Sequence, residues 1–130
     1  MRISGQCHCG AVAYEAEIDP AEVSICHCTD CQKLTGSPYR VTVATAAENI
    51  RQTGAAPACY VKKGDSGRNR LQYFCGTCGS PVFVTGEGDA ARTWGIRWGS
   101  IDQRRGLRPT RQSWCGSAID WARDITFLPE

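Results

Sequence analysis

Three thiols and one imidazole lie within six residues of this chain, in the stretch Cys26-His27-Cys28-Thr29-Asp30-Cys31. Disulfides do not easily satisfy such a run, because thiols this close in sequence pair only with strain and one thiol is left over. Thiolates that converge from one tight loop are instead ligands that zinc prefers. A structural zinc site takes four protein ligands, whereas a catalytic one takes three and keeps an open position. The loop therefore predicts a zinc site that is either completed by a distant residue or open for chemistry.

Two further cysteine motifs flank this loop at a distance. Cys7 and Cys9 form a Cys-x-Cys turn between glycines, and Cys75 and Cys78 form a Cys-x-x-Cys knuckle that is followed by glycine. The second spacing is typical of zinc ribbons.

Two arrangements fit these seven cysteines. In the first, the two outer motifs together form a closed four-sulfur site, and the middle three cysteines form an open site. In the second, one middle cysteine joins the Cys-x-x-Cys pair, and the N-terminal pair is left with too few sulfurs. The first arrangement uses every thiol and closes a long loop, so that metal binding would contribute to folding. Spacing favours the first arrangement without excluding the second.

The middle three cysteines, Cys26, Cys28 and Cys31, are the predicted catalytic residues. Zinc held by three thiolates keeps one vacancy and remains Lewis-acidic enough to bind and deprotonate an incoming thiol or water. The thiolate, rather than the thiol, is the nucleophile. The alternative is a second structural site with a fourth ligand, for which the sequence offers four candidates: His27, Asp30, Cys59 or Cys115.

The remaining cysteines and histidines have plainer interpretations. His8 and His27 each lie between two predicted ligands, so we expect their rings to point away from the metal. Cys59 and Cys115 lie in strand-like contexts, and we expect both to be small buried hydrophobic residues.

Arginines and tryptophans late in the chain are the other candidates for ligand contacts. The loop over residues 102–111 carries four arginines, which we expect to form a solvated surface; a functional version would bind the carboxylates or the phosphates of a ligand. Lys33 and Arg70 are weaker candidates for the same task. Trp94 and Trp98 are expected to pack in the core rather than to stack on a ligand.

Composition places the chain among small metal-binding proteins. Its 130 residues fit a single domain spanning 1–130, and a net charge of +2 implies no general attraction to nucleic acid. Residues 1–4 are not followed by an apolar segment, so we predict no secretory signal, no membrane span and a cytoplasmic location. In a reducing compartment, nine cysteines are metal-binding or catalytic rather than disulfide-bonded.

Short strands between turns predict a mainly β fold. The clearest strands cover residues 2–6, 11–18, 39–43, 58–62, 69–74 and 81–84. Residues 44–50 are interpreted as one helical turn, residues 32–38 as a polar loop that begins as a helical turn, and residues 102–111 as a loop.

Three motifs carry a resemblance to a known family: residues 5–12 (GQCHCGAV), 26–33 (CHCTDCQK) and 74–80 (FCGTCGS). In this order, and in a chain of this length, they resemble the glutathione-dependent formaldehyde-activating enzyme (GFA) family, which also includes centromere protein V. The resemblance implies a β-tent fold of small antiparallel sheets with zinc knuckles. It also implies two zinc ions, one structural on Cys7, Cys9, Cys75 and Cys78, and one catalytic on Cys26, Cys28 and Cys31.

The function implied by the resemblance is that of a carbon–sulfur lyase, which joins glutathione and formaldehyde reversibly to S-(hydroxymethyl)glutathione. The expected partners are a small-molecule thiol, with glutathione as co-substrate, and a small aldehyde, with the protein a monomer or homodimer. The alternative is a zinc-ribbon-like module that binds protein or nucleic acid without catalysis. The near-neutral charge makes nucleic acid an improbable partner. A third hypothesis is a zinc- or redox-responsive protein whose open thiolates act as the sensor.

Overall fold

The computed structural model describes residues 1–130. The chain forms ten strands and one α-helix, joined by short 3-10 turns. In chain order the elements are β1 (Arg2–Gln6), β2 (Ala13–Glu17), β3 (Val23–Cys26), α1 (Thr29–Thr35), β4 (Arg40–Ala46), β5 (Ile50–Gln52), β6 (Ala58–Lys63), β7 (Asn69–Phe74), β8 (Pro81–Thr85), β9 (Thr93–Arg97) and β10 (Arg111–Ser113). The prediction of a mainly β fold is confirmed.

Two sheets hold these strands. The smaller sheet has the order β1-β2-β5, and the larger sheet has the order β10-β3-β4-β9-β8-β7-β6. Neighbouring strands are antiparallel everywhere except at β10, which pairs in parallel with β3. The larger sheet thus brings the end of β3, where the central cysteine loop begins, next to a strand from the C-terminal part of the chain.

One face of the larger sheet packs into the hydrophobic core. Val43, Ile96 and Phe83 are aligned across β4, β9 and β8, and all three are fully buried. The smaller sheet adds Tyr14, whose ring meets the Phe83 ring edge-on at a centroid distance of 5.0 Å. The core therefore joins the two sheets through aromatic and β-branched side chains, which suit a pleated surface.

The opposite face of the larger sheet is polar. Because side chains alternate along a strand, this face carries Cys26, Arg40, Thr42, Arg97 and Gln72. Cys26 lies opposite Arg40, and Thr42 lies opposite Arg97. We call this set the polar face; it places charged and hydrogen-bonding groups beside the central cysteine loop.

Some local predictions need correction. The proposed helical turn over 44–50 is largely strand: β4 continues to Ala46, which pairs with Thr93 of β9, and only Ala47–Asn49 forms a 3-10 turn. The end of the loop predicted over 102–111 is also strand, because β10 begins at Arg111. Both differences arise from strand pairing over long sequence separations, which local patterns do not report.

Neither α1 nor any of the 3-10 turns has the length and apolar composition needed to cross a membrane.

Replacing Gly5 with alanine tests the contact between the two sheets. A Cβ atom at Gly5 would collide with the Tyr14 phenol and with the backbone oxygen of Ser100. The Tyr14 hydroxyl is buried and bonded to the Ser100 hydroxyl at 2.7 Å, so neither group can move freely. We expect Gly5→Ala to lower the free energy of unfolding by about 1–3 kcal/mol, measured by chemical denaturation. Gly116→Ala, which has open space around it, is the matched control, and equal stability of the two variants would contradict the expectation.

Candidate metal centres

Four cysteines from two distant parts of the sequence form one cluster. The sulfurs of Cys7, Cys9, Cys75 and Cys78 all lie within 4.8 Å of one another. The Cys7–Cys9 and Cys9–Cys75 sulfur distances are 3.6 and 3.7 Å. Zn–S bonds of about 2.3 Å in a tetrahedron put sulfurs about 3.8 Å apart, whereas a disulfide needs about 2.0 Å. This cluster therefore has the spacing of four ligands around one metal ion.

Backbone turns hold these thiols in place. After β7 the chain turns at Gly79, whose positive φ of 79° suits glycine and whose N–H donates to the Cys75 oxygen at 2.8 Å. The N–H groups of Thr77 and Cys78 donate to the Cys75 sulfur, both at 3.4 Å. Such bonds favour the thiolate over the thiol.

Ser80 acts on the last cysteine of the same cluster. Its hydroxyl, and then its backbone N–H, lower the pKa of Cys78 to about 5. Ser80 also accepts a hydrogen bond from the His8 N–H at 3.0 Å, so it joins the two knuckles. The ring of His8 belongs to neither cysteine cluster, in agreement with its expected orientation.

Cys26, Cys28 and Cys31 form a second cluster, whose sulfurs again lie within 4.8 Å of one another. Cys26 ends β3, Cys28 is the N-cap of α1, and Cys31 lies in the first turn of that helix. The Cys28 sulfur accepts the Cys31 N–H at 3.3 Å. All three side chains are half-buried. The structure thus has the first of the two arrangements that the sequence allowed.

None of the four candidate fourth ligands joins this second cluster. The His27 ring bonds through Nε2 to Gln112 Oε1 at 2.9 Å. The Asp30 carboxylate pairs with Lys62 Nζ at 2.9 Å. The cluster therefore offers three protein sulfurs and no further cysteine, histidine or carboxylate ligand.

The prediction that Cys59 and Cys115 are buried is wrong, because both thiols are exposed. Cys59 lies on β6, the last strand of the larger sheet, where no further strand covers it. Cys115 begins a 3-10 turn in the C-terminal region. Strand-like sequence does not distinguish an edge position from a central one, and burial depends on that difference.

Two glutamines that sequence analysis missed support the central loop. Gln32 Nε2 donates to the His27 oxygen at 2.9 Å and to the Ser117 oxygen at 3.1 Å. Gln112 holds the His27 ring, and the His27 N–H donates to the Ser113 oxygen at 3.1 Å. Gln112 lies 85 residues from His27, and Ser117 lies 85 residues from Gln32, so no local signal could have identified these two pairs.

The pKa values of Cys26 and Cys31 move in opposite directions. Burial, followed by hydrogen bonds with Cys26 and Cys28, raises the pKa of Cys31 to about 12. Burial also acts to raise the pKa of Cys26, but the Cys28 backbone N–H and neighbouring thiols lower it overall. At least one of these groups therefore keeps its proton at neutral pH in the metal-free chain, and metal binding would release it.

Two buried arginines lie beside this cluster on the polar face, and sequence analysis missed both. Arg40 is 5% exposed and Arg97 is 9% exposed. Arg97 donates to Thr42 Oγ1 at 2.8 Å and to Gln72 Oε1 at 2.6 Å, and Arg40 donates to the same Gln72 oxygen at 3.2 Å. Burial, and then the charge of Arg40, lower the pKa of Arg97 to about 9. Both guanidiniums remain cationic at neutral pH.

A cavity of about 650 Å³ opens beside the same region. Its wall includes Ser37 and Tyr39 from the segment after α1, and Trp98 after β9. This volume is within the range of small-molecule sites.

The tryptophans and loop arginines that the sequence offered for ligand contacts lie in the core or at the surface. Trp94 stacks on Tyr73 at 5.3 Å, and Trp98 donates its ring N–H to the Leu107 oxygen at 2.9 Å, so the prediction of core packing is confirmed. In the arginine loop, Arg111 pairs with Glu22 at 2.8 Å. Its neighbours Arg105 and Arg108 are exposed, as expected for a solvated surface.

Comparisons with known proteins identify a family and a similar fold. The family model described as glutathione-dependent formaldehyde-activating enzyme matches residues 2–117. A crystal structure of a Rhodobacter sphaeroides protein from structural genomics has a similar fold, with a TM-score of 0.65 and 20% sequence identity over 87% of this chain and 100% of that one. A search of curated proteins finds no match.

Serine substitution should distinguish the two clusters. We expect Cys28→Ser to lose one bound zinc and to remain folded, because the central loop is also held by hydrogen bonds. Cys75→Ser should unfold the chain, because the four-sulfur cluster closes a loop of more than sixty residues. Metal analysis and circular dichroism measure both effects. The control Cys59→Ser, at an exposed thiol, should change neither the zinc content nor the folding. Similar behaviour of the Cys28 and Cys75 variants would contradict the division into two kinds of site.

Proposed function

Because the chain belongs to the glutathione-dependent formaldehyde-activating enzyme family, we propose that it catalyses the reversible addition of a thiol to a small aldehyde. Glutathione or a similar thiol is the expected co-substrate, and the reverse reaction is that of a carbon–sulfur lyase. The observation that carries this proposal is the cluster of Cys26, Cys28 and Cys31, which gathers three half-buried thiols with no fourth protein ligand.

The donor set of both clusters fits zinc. Four sulfurs make a closed structural site, and three sulfurs make a site with one position for a substrate. When bound at the three-cysteine site, zinc would keep a substrate thiol in its thiolate form at neutral pH.

The protein itself would position the reacting thiol. Cys26 and Cys28 are held by the end of β3 and the start of α1, so the reacting thiol would meet a site of defined shape. The cavity beside β3 and α1, whose wall includes Ile25, Ser37 and Tyr39, would hold the remainder of the thiol. Orientation of this kind accelerates a reaction that also proceeds in water.

The chemical balance of the reaction is simple. The sulfur of the thiolate forms a bond to the carbonyl carbon of the aldehyde. The carbonyl oxygen takes the proton that the thiol released and becomes a hydroxyl group. In the reverse direction the carbon–sulfur bond breaks, and the same proton returns to sulfur.

A binding module without catalysis is the second candidate, and one surface feature favours it. Four large apolar side chains near the C-terminus are more than half exposed: Trp121, Ile125, Phe127 and Leu128. Exposed apolar side chains this close together in sequence fit a protein contact, and they would equally serve a homodimer. We further propose a cytoplasmic location, since both thiol clusters need a reducing compartment to stay free of disulfides.

Magnetisation-exchange NMR tests the catalytic proposal. Labelled formaldehyde, glutathione and their adduct exchange spontaneously, and we expect the zinc-loaded protein to accelerate that exchange. The acceleration should disappear in Cys28→Ser and persist in Cys59→Ser, because only the first variant removes a sulfur of the three-cysteine cluster. A rate equal to the spontaneous one with the wild-type protein would exclude glutathione and formaldehyde as substrates and favour the binding module.

A further inference from the structure

Arg40 and Arg97 are buried cations that lack an anionic partner in the chain. None of the six ion pairs of the structure includes either residue. Both guanidiniums donate to one neutral oxygen, Oε1 of Gln72, and this shared acceptor holds the two positive charges close together. The Nε atom of Arg97 is buried and has no hydrogen-bond partner at all.

Such an arrangement is unfavourable unless a negative charge lies nearby. A buried ion loses its hydration, and neutral acceptors such as amides and hydroxyls return only part of that loss. Two like charges on one acceptor add repulsion to the cost. The pair is therefore expected to compensate an anion that belongs to the working protein.

The three-cysteine cluster is the anion that the fold places beside the arginine pair. Cys26 lies directly opposite Arg40 in the β3–β4 ladder, and side chains in opposite positions of antiparallel strands are neighbours. Arg97 lies one strand further, opposite Thr42. Both arginines therefore lie on the same face of the larger sheet as Cys26, within one strand of each other.

Two other cations, Lys62 of β6 and Arg70 of β7, do not take this role. Lys62 is already paired with Asp30 at 2.9 Å. The guanidinium of Arg70 lies by Gly86, in the turn after β8. Arg40 and Arg97 are thus the two uncompensated charges beside the cysteines.

The charges match a cluster that has received a substrate thiolate. Three cysteine thiolates exceed the charge of one zinc ion by one negative charge, and a fourth thiolate raises the excess to two. The arginine pair supplies two positive charges. We propose that Arg40 and Arg97 are counter-charges that make the three-cysteine site favour an anionic thiolate over a neutral ligand as its fourth partner. This inference rests on the metal site of the proposed function, and both arginines would act as positioning residues through the cluster.

Ligand binding to the cobalt-loaded protein tests this proposal without turnover. Difference absorption spectra on addition of a ligand report the three-cysteine site, because the four-sulfur site has no open position; Cys28→Ser should show no change. The ligands are 2-mercaptoethanol, glutathione and imidazole. We expect Arg40→Gln and Arg97→Gln each to weaken the binding of both thiols about tenfold or more, because each variant removes one positive charge near a partly buried site. Imidazole binding should stay unchanged in both variants.

Conservative and surface variants complete the design. Arg40→Lys and Arg97→Lys keep the positive charge and should restore most of the thiol affinity. Arg105→Gln, at an exposed arginine, should behave as wild type. Arg40 makes one side-chain hydrogen bond and Arg97 makes two, so Arg40→Gln keeps the test informative if Arg97→Gln does not fold.

Four results would overturn the inference. Equal losses of thiol affinity and imidazole affinity in the glutamine variants would assign the arginines a purely structural role. A loss of affinity for glutathione but not for 2-mercaptoethanol would show that the arginines bind the carboxylates of glutathione. Unchanged thiol affinity in both glutamine variants, or a cobalt-loaded wild type that binds neither thiol, would remove the counter-charge role. Failure of the proposed function would be seen separately, as normal thiol selectivity without acceleration of formaldehyde exchange.

Discussion

The convergence of cysteine sulfurs from distant parts of the chain is the constraint on which the rest of this structure depends. Cys9 and Cys75 bring their sulfurs to 3.7 Å from positions 66 residues apart. Thiolates this close repel one another unless a cation lies between them, so the cluster is a stable arrangement only with a metal ion or with shared protons. The link joins the β1–β2 sheet to the β7–β8 hairpin, and the hydrophobic core lies between the joined elements.

The three-cysteine cluster also depends on converging sulfurs, but other parts of the fold hold its thiols in place. Its three thiols come from one short loop, and the loop is held by β10 and by the amides of Gln32 and Gln112 rather than by a fourth sulfur. The loop is thus held by contacts other than its own thiols. An open site with three ligands is the kind that catalysis uses, whereas a closed site with four ligands stabilises a fold.

Electrostatic balance explains the composition of the polar face. An apolar core would be more favourable than buried arginines if the face had only to pack. Arg40 and Arg97 are nevertheless buried there, at 5% and 9% exposure, beside the cysteines. The polar face therefore departs from the most stable packing beside the cluster that we propose as a metal–thiolate site, and functional sites commonly show such departures.

The sequence by itself determined the family, the mainly β class and the three cysteine motifs, because ligand spacing and strand patterning are local properties of a chain. Spacing left two groupings of these motifs open, and only the tertiary structure decided between them, by bringing Cys7 and Cys9 to Cys75 and Cys78. The sequence even located strand β7 at residues 69–74, where apolar residues and turn signals are clear. Tertiary structure alone decided the exposure of Cys59 and Cys115, the strand β10, and the glutamine and arginine neighbours of the central loop. Each of these depends on strand order and register across long separations, and two residues that meet through a sheet leave no pattern in the sequence between them.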